Sequence, residues 1–216
     1  MDSPSTERRG RQGGRAGGAS PAVVDRVTAH DSIGPNGTPE DLNDLGVAHH
    51  TRCEIEQAIG KYREALRADA LFADARNNLG AAYFHRGDVD RAIEEWEEAV
   101  ARNRALVQAY HNLAVGYETQ GCLELAIEAW GNALKLDPRG ADVYLGLGGI
   151  CETLGDRQGA MENYERFLDL AKSGSDFWAG LAREKVERLR QEAGGTSGCR
   201  GERPTQGRTR LPLALA

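Results

Sequence analysis

The chain has 216 residues, enough for one or two domains, and carries 27 Lys+Arg against 33 Asp+Glu for a formal charge of -6. That balance speaks against general nucleic-acid binding, which needs a basic face. No stretch approaches the ~18 apolar residues needed to span a bilayer. The start, Met1-Asp2-Ser3-Pro4 followed by Arg and Gly, has no apolar core of a secretory signal, so a cytoplasmic protein is expected. The four cysteines, Cys53, Cys122, Cys151 and Cys199, make no CxxC pair and are expected as free thiols.

Residues 1–38 are rich in Gly, Ser, Pro and Arg, without apolar periodicity, and are expected to be a disordered tail. They hold 5 Arg and 4 acids. Thr38, Pro39, Glu40 and Asp41 then read as a helix start: a cap, a proline at the first helical position, and acids at the positive end of the dipole.

From residue 39 the sequence repeats every 34 residues. Asp44-Leu45-Gly46, Asn78-Leu79-Gly80, Asn112-Leu113-Ala114 and Gly146-Leu147-Gly148 fall in register. So do Ala58, Ala92, Ala126 and Ala160, and behind them the rings Tyr62, Trp96, Trp130 and Tyr164. Each unit (39–72, 73–106, 107–140, 141–174) reads as two helices, because apolar residues recur at three and four in both halves. Gly87, Gly121 and Gly155 mark the turn between halves; unit one has Cys53 there. Small columns let facing helices approach, and large ones fill the space beside them.

An end cap is needed to close the last apolar face of such a stack. Residues 175–193 offer one, with a stripe of Phe177, Trp178, Leu181, Ala182, Val186 and Leu189. Trp178 is expected in the core, the alternative being a partner contact. Residues 194–216 return to Gly, Ser and Arg and are expected to be a second disordered tail. The body, 39–193, has 18 bases and 28 acids, a net of -10 between basic tails.

Together these columns resemble the tetratricopeptide repeat, whose pattern is W-x2-L-G-x2-Y, then Ala, an aromatic, Ala and a late Pro. Unit three is most similar, with Tyr110, Leu113, Ala114, Tyr117, Ala126, Trp130, Ala133 and Pro138. Arg76, where the others carry a large apolar residue, and His49 and Cys151, where an aromatic is usual, depart from it. The resemblance implies an all-α fold, an α-solenoid of four helix–turn–helix repeats with a capping helix. It also implies a groove along the first helices, facing the ligand at their second, fifth, sixth, ninth, twelfth and thirteenth positions. On this chain the implied peptide-binding residues are Asn78, Asn112, Asp44, Asp74, Asn77, Phe84, His111, Val115 and Glu118. Asn78 and Asn112 would offer donor and acceptor to a peptide backbone, unless they are merely solvated. Val47, Ala81, Val115 and Phe84 would form a mildly apolar floor. Glu40, Asp44, Asp74, Glu118, Asp142 and Glu152 would form a rim without Lys or Arg, favouring a neutral-to-basic peptide. Family members that grip a chaperone's C-terminal carboxylate use Lys and Arg where this chain has Asp74, Asn77, Gln108, His111 and Asp142, so no such clamp is expected.

Other chemistry is not expected. His49, His50 and Cys53 have metal-like spacing, but no four-ligand zinc site is visible. There is no GxSxG, no GxxxxGK and no distinct domain for catalysis, so neither enzyme activity nor a cofactor is expected. The partner is therefore expected to be a protein or peptide, not nucleic acid or membrane, with the oligomeric state open. An alternative is a structural role by self-association of repeat ends. Residues 7–15, rich in Arg, are a candidate to fold back into the acidic groove.

Overall fold

The computed structural model describes residues 37–171 and 177–195; the expectations for the two tails fall almost wholly outside that range. Among the described residues there are helices and turns and no strand. The first, α1, spans Pro39–Thr51 and starts as expected, with Asp41 N–H donated to the Thr38 hydroxyl and Thr38 N–H donated back to the Asp41 carboxylate. Then follow α2 (Ile55–Ala68), α3 (Ala73–His85), α4 (Val89–Arg102), α5 (Val107–Gln120), α6 (Leu123–Leu136), α7 (Ala141–Thr153) and α8 (Arg157–Leu170). The last, α9, spans Phe177–Gly195.

Each unit is a helix pair: α1–α2, α3–α4, α5–α6 and α7–α8. The four turns share one hydrogen-bond frame. Glu54, Asp88, Cys122 and Asp156 each donate N–H to a carbonyl five residues back, at 2.9 Å. That frame needs a left-handed residue just before the donor. Gly87, Gly121 and Gly155 supply it at φ of 89°, 76° and 73°, and Cys53 is forced into it at 61°.

Pairing within a unit depends on the small columns. Ala58, Ala92, Ala126 and Ala160 are fully buried. Opposite them, a Cβ on Gly46 or Gly80 would lie 2.5 Å from the ring of Tyr62 or Trp96. Unit three has Ala114 in that column. Trp130 also reaches Gly146 of unit four, where a Cβ would come within 2.7 Å of the indole, as Trp96 reaches Gly116 of unit three at 2.9 Å.

Successive units meet along α2–α3, α4–α5 and, more thinly, α6–α7. First helices also touch first helices, α1 with α3, α3 with α5 and α5 with α7, more closely than second helices touch each other. The first helices therefore line the inner side of the curve. One continuous apolar cluster runs from Ala58 to Ile150, and a second joins Cys151, Ala160, Tyr164 and Phe167 to the cap.

The cap corrects one expectation. Ala179, Ala182, Val186 and Leu189 of α9 are buried, but Trp178 is 54 % and Phe177 75 % exposed. The buried stripe recurs at three and four from Ala179, which turns the first two residues of the helix away from α8. Their rings pack on each other, with centroids 5.2 Å apart.

Candidate functional site

The inner face of α1, α3, α5 and α7 carries the expected site residues, but not all of them face outward. Asp44 and Asp74 are exposed. Val47 and Val115 are 42 % and 41 % exposed on the ninth position of their helices. Gly149, in the same column, has open space above it. Together they form an accessible apolar stripe flanked by carboxylates. No described ion pair engages Glu40, Asp44, Asp74 or Asp142.

The asparagines lie one layer deeper and hold the stack together. Asn43 and Asn77, at the fifth position, are 8 % exposed. Asn78 donates its side-chain amide to Asn43 Oδ1 at 2.9 Å, and Asn112 donates to Asn77 Oδ1 at 2.8 Å. The carbonyl of Asn77 also accepts the Trp96 indole N–H at 3.1 Å. Gln108 donates to Asn112 Oδ1 at 3.4 Å, whereas no described hydrogen bond engages the second amide hydrogen or Oδ1 of Asn78.

At the twelfth position every side chain meets the ring of its own unit's second helix. His50 packs against Tyr62 and Phe84 against Trp96, at centroid distances of 6.4 Å and 5.8 Å. Glu118 accepts the Trp130 indole N–H at 2.6 Å. Burial pushes the Glu118 carboxyl above the usual range, and the indole hydrogen bond offsets that in part. Glu152 accepts the Tyr164 hydroxyl at 2.5 Å and also pairs with Lys185 and Arg188 of α9. The rim is therefore not free of basic residues at its C-terminal end, because the cap delivers two.

His111 stands apart. Its ring meets Trp130 edge-on at 5.2 Å, and its buried Nε2 has no hydrogen-bond partner. Burial lowers its pKa, with Asp142 and Asp137 opposing.

One pair escaped the sequence reading. His50 Nε2 and His85 Nδ1 lie 2.6 Å apart across the seam between units one and two. Burial, and then the neighbouring imidazole, lower the pKa of His50. A signal for it exists: Asn43 and Asn78, Asn77 and Asn112, and His50 and His85 are all 35 residues apart, one period plus one. At the next seam that rule pairs His111 with Gly146, which has no side chain. Lys185 and Arg188 follow no such rule, since the cap is not a repeat.

The tetratricopeptide-repeat family matches residues 44–106 and 111–183, and a domain of unknown function (DUF6340) matches residues 78–139. No curated protein matches the chain. Similar solved structures include two of MamA. One is 24 % identical with a TM-score of 0.59, covering 79 % of this chain and 90 % of that one. The other is 27 % identical at the same TM-score, covering 73 % and 86 %. The first repeat domain of Spaghetti (RPAP3), bound to the HSP90 peptide SRMEEVD, is 24 % identical with a TM-score of 0.54, covering 55 % and 96 %.

Proposed function

This chain belongs to the tetratricopeptide-repeat family, and on that premise we propose that it is a non-catalytic scaffold holding an extended, neutral-to-basic segment of a partner protein along α1, α3, α5 and α7. The fold supports a protein-interaction scaffold. The observation that carries the finer statement is the exposed stripe of Val47 and Val115 beside Asp44 and Asp74, carboxylates that no described ion pair engages. Apolar contact would hold alternate side chains, and the acids would select against an acidic segment. Asn78, whose second amide hydrogen and Oδ1 no described hydrogen bond engages, is the contact offered to the ligand backbone. Asn112, Phe84 and Glu118 shape the wall behind it, while Asn77 and His111 act through Asn112 and Trp130.

The RPAP3 domain was solved with an acidic peptide. Here Asp74 and Asp142 would repel one, and Asn77 and His111 are turned inward. The cytoplasm is the compartment we propose; no described helix is long and apolar enough to cross a membrane.

The test is a fluorescence-anisotropy titration with a labelled peptide alternating lysine and valine. The Val47→Arg/Val115→Arg protein, altered only at exposed positions, is expected to bind at least tenfold more weakly. Binding equal to that of the wild type would remove the peptide from this face. A second reading, self-association through a repeat end, is favoured by the exposed Phe177 and Trp178. Light scattering that reports a monomer at all concentrations would remove it.

A further inference from the structure

Away from the inner face, a cleft of about 350 Å³ opens between unit one and unit two. Its walls are Arg63, Leu66 and Arg67 of α2, Leu79 and Tyr83 of α3, and Glu95 of α4. None of these six belongs to the groove positions.

The cleft has a cause in the sequence. At the fourth position, units three and four carry Tyr110 and Tyr144, and both rings pack into the apolar core. Unit two carries Arg76. Its guanidinium turns to Glu95, at 3.1 Å, and to the carbonyl of Ala70, at 3.4 Å. An arginine drawn to a carboxylate leaves the half-buried Leu66 less covered than a tyrosine would, above the buried Leu79. Arg76 Nε is buried without a partner, so the arginine sits in this seam with one donor unsatisfied.

The charge of the cleft opposes that of the body. Arg63 and Arg67 are exposed and one helical turn apart, and neither joins a described ion pair. Arg63 donates to the Tyr83 hydroxyl at 2.6 Å, which fixes its guanidinium over the cleft. The two further guanidiniums on the Tyr83 ring, Arg86 and Arg91, are already paired, Arg86 with Glu56 and Asp88 and Arg91 with Asp88. Glu95, the single carboxylate in the wall, is matched by Arg76. Two positive charges are left over, on a body whose residues 39–193 have 18 bases and 28 acids. The next seam reverses the sign. The counterparts of Arg63 and Arg67 there are Glu97 and Ala101, and Tyr117 donates its hydroxyl to Glu97 at 2.6 Å.

We propose that this cleft is a second binding site, separate from the groove, which takes an aspartate or glutamate side chain of a partner segment. The carboxylate lies between Arg63 and Arg67, and its methylene stem rests on the half-buried Leu66. Guanidinium pairs recognise carboxylates by paired N–H donation, and the apolar floor selects an acid on a stem over a bare ion. The scaffold then meets partners of two characters on two faces: basic along the inner side, acidic at the first seam.

The probe is an acetylated, amidated tetraglutamate peptide, added to the isotopically labelled full chain and followed by NMR. The backbone signals of Leu66, Leu79 and Tyr83 are expected to shift, while tetralysine leaves them in place. Arg67→Glu is expected to weaken tetraglutamate at least tenfold, and Arg63→Gln to weaken it as well. Val47→Arg/Val115→Arg is expected to leave it within twofold, which separates this site from the groove. Both arginine changes are at exposed positions, and an unchanged circular-dichroism spectrum confirms the fold. Unmoved cleft signals, or an Arg67→Glu protein that binds like the wild type, would overturn the proposal. So would inorganic phosphate producing the same shifts at lower concentration than tetraglutamate.

Discussion

Asn112 reaches back across a seam to Asn77, one period plus one residue earlier, and donates its amide at 2.8 Å to an oxygen that is closed to solvent. Asn112→Ala removes the donor and leaves Asn77 Oδ1 buried and bare, at a cost of about 1–3 kcal/mol. Urea unfolding is expected to show the loss without a ligand present. An unchanged midpoint would mean that water replaces the amide.

Adjacent glycines on α7 make opposite predictions. A Cβ on Gly148 would lie 2.6 Å from Tyr164 Cδ1, and that ring is tied by its hydroxyl to Glu152. Gly148→Ala is expected to lose about 1–3 kcal/mol by overpacking, less the helix propensity gained. Gly149 has open space, so Gly149→Ala is expected to gain up to about 1 kcal/mol. Thermal unfolding of the two proteins side by side checks the sign.

Cys53 holds a left-handed backbone at φ 61° and is exposed, so its side chain packs on nothing that would be missed. The strain is about 1–2 kcal/mol for an L-residue. Cys53→Gly relieves it, at a smaller cost in unfolded-chain entropy. The expected net gain is about 0.5–1 kcal/mol, read as a higher urea midpoint with an unchanged slope. No gain would show that the turn adapts without strain.

His50 gives the first seam a dependence on pH. Its folded pKa lies below the ordinary value of 6.5, first through burial and then through His85. The folded chain therefore binds this proton less readily than the unfolded chain. The contribution to stability is fully present above the ordinary value and is lost as the pH falls through the folded value. His85→Ala removes the like charge and is expected to raise the pKa of His50 toward the ordinary range, as read by proton NMR of the ring. An unmoved titration would assign the whole shift to burial.

The period, the paired helices and the turn residues were legible because close packing of two helices restricts sequence at fixed intervals. Ala58, Gly87 and Trp96 each record a local requirement that recurs in every unit. The site was less legible, since groove positions inherited from a resemblance say which way a backbone position points, not what its neighbour does. Asn77 is turned inward, where its Oδ1 accepts from Asn112 and its backbone carbonyl accepts from Trp96. Trp130 keeps Glu118 and His111 of its own unit and also reaches Gly146 of the next, a contact that a column of small residues does not announce. Trp178 could not be placed by a stripe alone: the stripe begins at Ala179, which leaves the two residues before it exposed.

The helix α7 is a wall shared by two cores. Val143, Leu147 and Ile150 face the first cluster, and Cys151 faces the second. At the same helix the side-chain ladder between units is interrupted, because Gly146 has nothing to donate. A stack held by nearest-neighbour contacts comes apart in segments rather than all at once. The division here falls at α7, whose seam with α6 is the thin one, so that α7, α8 and α9 open together while α1 to α6 stay closed. Amide exchange should accordingly step down across this one helix instead of fading evenly toward the end of the chain.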